Sequence, residues 1–259
     1  LLEDQPASRE EPSLLLLRVS LLQQLERSQE AFSLLEDGLK SNPNDKRLRL
    51  TYARLLVEQQ RLEEARAEFT TLLQQNPEDD DLRLSLALIS MEAQAWNEAQ
   101  AYLRDLIERD SHVDIAHYNL GLIHEEQNDP HGALIEYSLI GPGNEYLAAQ
   151  ARQTAIRLAE QHVSEARQHL AEARADQPDY AVQLYMLEIE SLAEHQQTDL
   201  AWLAAQQSLE QFPGDLNLLY TRAMLAEQRN DLGQMERDLR QIIKAEPDNS
   251  MALNALGYT

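Results

Sequence analysis

Four histidines stand close together in the sequence and are the residues with the clearest capacity for chemistry. They are His112, His117, His124 and His131, with Asp114 and Glu125 nearby. Imidazole and carboxylate groups together suit zinc or nickel, so a metal-dependent enzyme centred on His117 and His124 is one hypothesis. The spacing disfavours it, because these two histidines share a helix face while the other two fall in separate turns. We therefore predict no metal site and no cofactor, and interpret His117 and His124 as packing residues.

Other catalytic signatures are missing from the sequence. The segment from His124 begins like a zinc-protease helix but has no second histidine four residues on. No nucleophile elbow, phosphate-binding loop or dinucleotide fingerprint occurs, and the absence of cysteine removes thiolate nucleophiles and ligands. Adjacent carboxylates such as Glu63 and Glu64 diverge on a helix and are interpreted as solvated charge. The sequence predicts a protein that is not an enzyme and has no catalytic residues.

The elements that carry these residues follow a repeat. Pro43 and Pro77 are 34 positions apart, as are Pro213 and Pro247, and Ser111 stands 34 beyond Pro77. That period is typical of one helix–turn–helix unit in a repeat array. Asp45 and Asp129 are predicted to cap the helices that follow them.

Small residues recur in register with the prolines and predict close helix crossings. The second helices carry Ala31, Ala65, Ala99, Ala133, Ala166 and Ala201, and the first helices carry Ala53, Ala87, Gly121, Ala155, Ala223 and Gly257. A bulky residue follows four positions after each second-helix alanine, at Leu35, Phe69, Leu103, Tyr137 and Leu170. A small side chain lets two helix backbones approach, and the bulky one packs on the facing helix.

The residues Leu120-Gly121, Ala133, Tyr137 and Leu256-Gly257 resemble the tetratricopeptide repeat family. The resemblance implies an all-α, right-handed superhelical solenoid of about seven helix pairs and a partial eighth. We expect an N-terminal extension over residues 1–12, seven pairs over 13–249 and the first helix of an incomplete repeat over 250–259. The fourth unit ends early at residues 141–143, where we expect a local change of superhelical pitch. The start at Leu1 leads us to expect that the chain is cut there, and the unpaired last helix leads us to expect either further repeats in the natural protein or a partner that covers this end.

The charge of the chain excludes some partners. Its 45 acidic and 22 basic residues give a net charge of −23, which repels nucleic-acid backbones and anionic lipid. The apolar run at residues 14–17 is too short to cross a membrane and is interpreted as part of the first helix. We predict protein partners, no nucleic acid and no membrane span in this segment.

In arrays of the family that this chain resembles, the first helix of each pair lines a concave face. Positions three before and one after its small residue project into the groove, and the position two before it adds a few polar or soft contacts. The resemblance therefore implies a largely apolar and aromatic partner-binding set: Leu50, Arg54, Leu84, Leu88, Tyr118, Asn119, Leu122, Arg152, Ile156, Tyr185, Met186, Ile189, Tyr220 and Met224. The same positions continue to Asn254 and Tyr258. The alternative is that these side chains bury against one another inside a tightly wound superhelix.

A closer resemblance involves residues 137–147, residues 166–178 and the last eight residues, which are similar to proteobacterial outer-membrane tetratricopeptide lipoproteins. That group includes adaptors that deliver substrates to periplasmic carboxyl-terminal processing proteases. It implies a lipid-anchored adaptor facing the periplasm, with a cytoplasmic location as the alternative. The other functional hypotheses are an assembly or oligomerisation factor for an envelope machine, such as a secretin or pilus system, and self-association through residues 250–259.

Overall fold

The computed structural model of the protein describes residues 11–257, which form fifteen α-helices and contain no strand. The predicted all-α class of stacked helix pairs is confirmed. Residues 1–10 of the expected N-terminal extension lie outside the described residues, as does Tyr258. The chain divides into two compact units, one ending at Ile123 and one beginning at His124. Over residues 11–257, no helix has both the length and the apolar composition that a membrane crossing requires.

The first unit is built from consecutive helices that pack on one another. They are α1 Pro12–Gln24, α2 Ser28–Ser41, α3 Lys46–Glu58, α4 Leu62–Gln75, α5 Asp80–Glu92, α6 Trp96–Glu108 and α7 Val113–Glu126, whose last three residues belong to the second unit. One core runs from Leu15 on α1 to Ile89 on α5, and another joins α5, α6 and α7 through residues such as Ala87, Leu103 and Leu120.

The second unit continues the same pattern of paired helices. They are α8 Pro130–Ser138, α9 Tyr146–Ala159, α10 Val163–Asp176, α11 Ala181–Glu194, α12 Thr198–Gln211, α13 Leu216–Gln228, α14 Leu232–Ala245 and α15 Ser250–Gly257, with a short 3-10 helix at Pro178–Tyr180. The first helices α11 and α13 also contact one another directly. Helix α8 is short and residues 139–145 are not helical, as the glycines and proline there indicate; the expected change of pitch stays a prediction.

Prolines and aspartates set the helix ends. Helix α2 ends two residues before Pro43, and α4 two residues before Pro77, because the residue preceding a proline disfavours helical backbone. The Asp45 carboxylate accepts hydrogen bonds from the backbone N–H groups of residues 47 and 48, both at 3.0 Å. The Asp129 carboxylate accepts one from Gly132 at 2.9 Å. Both predicted caps are confirmed.

The turn inside each helix pair contains a residue with left-handed backbone that is not glycine. Gln60, Gln94 and Asn128 adopt φ values of 59°, 56° and 57°, and four further turns repeat the feature at Glu26, Gln161, Gln196 and Asn230. Glycine and, less often, asparagine are the usual residues at this position, and others such as glutamine cost roughly 1–2 kcal/mol there. These turns are therefore held by the packing of the two helices they join.

The predicted crossing points form the core. All six second-helix alanines are buried, and so are the five bulky residues four positions beyond them. In the first helices, Ala53, Ala87 and Ala223 are fully buried, whereas Ala155 is half-buried and Gly257 is exposed. Met235 occupies a second-helix crossing where alanine is expected, and it is buried against the adjacent apolar cluster.

Candidate functional site

The four histidines are dispersed by the structure. The Nδ1 atom of His124 lies 2.9 Å from Asp129 Oδ2, and this contact stabilises the turn between α7 and α8. The Nε2 atom of His112 lies 3.0 Å from Asp81 Oδ1 on α5. In the described part of the chain, no three histidine, aspartate or glutamate side chains converge in an arrangement that could hold a metal ion. The His124 contact therefore links a helix end to the cap of the next helix.

In the first unit, the predicted partner-binding residues form pairs one helical turn apart. Leu50 and Leu84 are half-buried and pack against the core, whereas Arg54 and Leu88, four residues later, are exposed. Leu88 keeps 42% of its surface exposed, which is high for a leucine in a helix that also contributes to the core. On α7, Tyr118 and Leu122 are half-buried. The first helices of this unit therefore present apolar side chains at their surface.

Four residues of the predicted set are buried; Ile189 borders a hollow between two helices, and the other three are directed into the protein. Asn119 is buried, and its side-chain Nδ2 donates to the Ile115 carbonyl oxygen of its own helix at 2.8 Å. Tyr185 is buried, its hydroxyl donates to Gln211 Oε1 at 3.0 Å, and the Arg174 guanidinium lies 3.9 Å from its ring centroid. Ile156 is also buried. For these three, burial between helices replaces the expected partner contact, since the neighbouring elements cover them.

In the second unit, the structure brings three predicted residues together. Ile189 on α11 and Tyr220 and Met224 on α13 line one hollow of about 270 Å³ between the two first helices. Met186 lies beside Tyr220 in an adjoining depression. Arg152 on α9 lies apart from the hollow, is exposed, and has its Nε 3.6 Å from Glu125 Oε1.

Six residues that line this hollow are absent from the predicted set, and two of them are carboxylates. Glu190 and Glu194 line it, and both remain exposed at the residue level. Partial burial raises the pKa of the Glu190 carboxyl, and the negative charge of Glu194 raises it further. The signal in the sequence is their spacing, because Glu190 adjoins a predicted groove residue and Glu194 lies one turn further on.

A second apolar surface missed by the sequence interpretation lies on the first helix. Its exposed leucines recur at helical spacing, at Leu14, Leu17, Leu21 and Leu25. Leu15 and Val19, on the other side of α1, are buried in the core. A contiguous exposed apolar row of this kind is typical of an interaction surface, and its three- and four-residue spacing was the available signal.

Stacked helix pairs with a period near 34 residues, and small residues at most of their crossings, define a helical repeat protein, and this period is typical of tetratricopeptide arrays. A tetratricopeptide repeat family model matches residues 22–89 and 64–122, so this part of the chain is similar to that family. A TPR repeat-containing protein of Pseudomonas aeruginosa is 65% identical over all 259 residues, and the chain spans 44% of that protein's length. Neither match indicates an enzyme family.

Two solved structures share the fold. A tetratricopeptide repeat protein from Parabacteroides merdae has a TM-score of 0.54 and 15% identity, with 95% of this chain and 97% of the other covered. The C-terminal part of a TPR repeat-containing protein from Cytophaga hutchinsonii has the same TM-score and 14% identity, with 92% and 98% covered. At these identities the similarity concerns the fold.

Proposed function

We propose that this protein is a non-enzymatic scaffold that binds protein partners through the exposed surfaces of its first helices. The observation that carries the proposal is the hollow where Ile189, Tyr220 and Met224 come together. Tyrosine offers a large contact area with little side-chain entropy to lose, and methionine adapts its shape to a partner. Tyr220 and Met224 are half-buried in the free protein, so a partner that covers them removes further apolar surface from water.

The proposal is tested by comparing equally exposed leucines on first and second helices. Leu88 on α5 and Leu203 on α12 are 42% and 41% exposed, which makes Leu203→Ser a matched control. A partner is first identified by photo-crosslinking in cells from positions 88 and 224, and its affinity for purified variants is then measured by calorimetry. Burying a leucine or methionine contributes roughly 1.5–3 kcal/mol, and about half of that is available from a half-exposed side chain.

We expect Leu88→Ser and Met224→Ser each to weaken binding by about 1 kcal/mol, or roughly fivefold, with Leu203→Ser unchanged. Circular dichroism establishes that all three variants remain folded. Unchanged affinity in folded Leu88→Ser and Met224→Ser variants would reject the first-helix surfaces as the binding site.

We further propose that the partners are a periplasmic carboxyl-terminal processing protease and its substrates, and that the protein works as a lipoprotein adaptor at the periplasmic face of the outer membrane. Support comes from the resemblance of residues 137–147, residues 166–178 and the last eight residues to proteobacterial outer-membrane tetratricopeptide lipoproteins, a group that includes such adaptors. The test measures degradation of a cell-wall hydrolase by the purified protease with and without the full-length protein. Faster degradation is expected; no change in rate, together with crosslinks to secretin or pilus components, would favour an envelope-assembly role.

Self-association is a second candidate, favoured by the surface of α15. Met251 and Leu253 on this helix are largely exposed, while Ala252 between them is buried. Light scattering over a concentration series tests it, since a mass that stays monomeric at high concentration removes this candidate.

A further inference from the structure

The hollow between α11 and α13 has a size and a lining that narrow the chemistry of its occupant. Its deeper residues, Ile189 and Leu225, are buried and apolar, and Tyr220 and Met224 form half-buried walls. Its volume of about 270 Å³ lies just under the roughly 300–1,000 Å³ of sites that enclose a small-molecule ligand, and the hollow is open to solvent. One long side chain of a polypeptide fits a hollow of this size and lining.

The rim of the hollow carries two carboxylates. Glu190 and Glu194 are separated by one helical turn, a spacing at which like charges repel and slightly destabilise a helix. Over residues 11–257 neither is paired with a cation. Glu188 on the same helix differs, because it is buried and bound by Arg167 and Arg174 of α10. The charge of Glu188 is thus neutralised within the protein, whereas that of the rim pair is directed to the hollow.

We propose that this hollow binds a lysine or arginine side chain of the partner. The aliphatic stem packs on Tyr220 and Met224, as basic side chains do when they cover apolar surface, and the cationic end reaches Glu190 and Glu194. The cation relieves the repulsion between the two carboxylates, and the net charge of −23 steers basic segments toward the protein. The inference rests on the proposed scaffold function and states which partner segments this part of the surface selects.

The test needs no identified partner. Methyl NMR of the whole chain labelled at its methionines follows Met224, with the buried Met235 as an internal reference. The probes are four capped peptides of sequence Gly-Leu-X-Leu-Gly, in which X is lysine, arginine, norleucine or glutamate. Norleucine keeps the aliphatic stem of lysine and lacks its charge, so the comparison isolates the contribution of the rim carboxylates.

We expect the lysine and arginine peptides to shift the Met224 signal and to bind about fivefold more tightly than the norleucine peptide, as two partly exposed ion pairs allow. In Glu190→Gln/Glu194→Gln that preference disappears while norleucine binding is retained. The matched control is Glu172→Gln/Asp176→Asn, which removes the same charge from an exposed pair at the same spacing on α10 and keeps the preference.

Each other outcome overturns the inference. If the wild type binds the lysine and norleucine peptides equally, the hollow binds apolar side chains and the two carboxylates do not select for positive charge. Absence of any Met224 shift at millimolar peptide, or a preference that survives Glu190→Gln/Glu194→Gln, would show that the hollow does not bind basic side chains. None of these results bears on whether Leu88→Ser weakens binding of the crosslinked partner. The inference about the hollow can therefore fail while the proposed scaffold function stands.

Discussion

Glu188 is a buried carboxylate held between two arginines, and its removal should destabilise the second unit strongly. The side chain is 2% exposed; Arg167 Nε donates to Oε1 at 2.9 Å and Arg174 Nη1 donates to Oε2 at 2.7 Å. The same Arg174 guanidinium lies over the Tyr185 ring. Glu188→Ala therefore leaves two cations on α10 without a counter-charge beneath them and loosens the packing of α10 on α11.

The loss of stability in Glu188→Ala depends on how much hydration the two arginine side chains regain. Removing one partner of a buried ion pair costs about 3–5 kcal/mol. The Arg167 and Arg174 side chains are 27% and 12% exposed, so both regain part of their hydration and the lower end of the range applies. A loss of about 3 kcal/mol corresponds to a decrease in Tm of roughly 6–12 °C for a chain of this size.

Calorimetry of thermal unfolding measures how much stability Glu188→Ala loses, and hydrogen exchange followed by mass spectrometry shows which helices lose protection. Because each repeat contacts only its neighbours, protection should fall in α10 to α12 and be retained in α3 to α6. Glu190→Gln, two residues along the same helix and exposed, is the control and should change stability by less than about 0.5 kcal/mol. A Tm for Glu188→Ala within about 2 °C of that control, or an equal loss of protection in α3 to α6, would refute the reasoning.

Two further predictions concern a histidine and a glycine in the second unit. Burial, assisted by the charge of Arg157, lowers the pKa of His169 to about 4. The unfolded chain then binds more protons than the folded one between about pH 4 and 6.5, so the free energy of unfolding decreases as pH falls through that window. Urea denaturation at pH 7 and 4.5 measures this decrease, and we expect it to be about 2 kcal/mol smaller in His169→Leu. A methyl group at Gly132 would collide with the His124 ring, whereas one at Gly233 meets only ordinary contacts. Gly132→Ala should therefore lower the free energy of unfolding by about 1–3 kcal/mol and Gly233→Ala should not, and equal denaturation midpoints for the two variants would contradict this.

The sequence by itself determined the features that depend on local rules. A proline excludes helix from the residue before it, an aspartate caps the backbone that follows it, and a small residue at a fixed period marks a helix crossing. These rules located the ends of α2 and α4, the caps at Asp45 and Asp129, and the buried alanines. Five of the described turns within pairs carried no such mark, because glutamine or glutamate occupies the left-handed position there in place of glycine or asparagine.

Only the tertiary structure decided which side chains of the first helices stay at the surface and which are buried. Tyr185 and Tyr220 occupy equivalent positions in the sequence pattern, yet Tyr185 is covered by Arg174 and Gln211 while Tyr220 lines the hollow. Glu188 and Glu190 are two residues apart, and one is buried between arginines while the other borders the hollow. Successive helix positions point about 100° apart, so the environment of a side chain depends on which neighbouring helix lies opposite it and how long that neighbour's side chains are. The residues that decide whether a side chain is buried are therefore distant from it in the sequence.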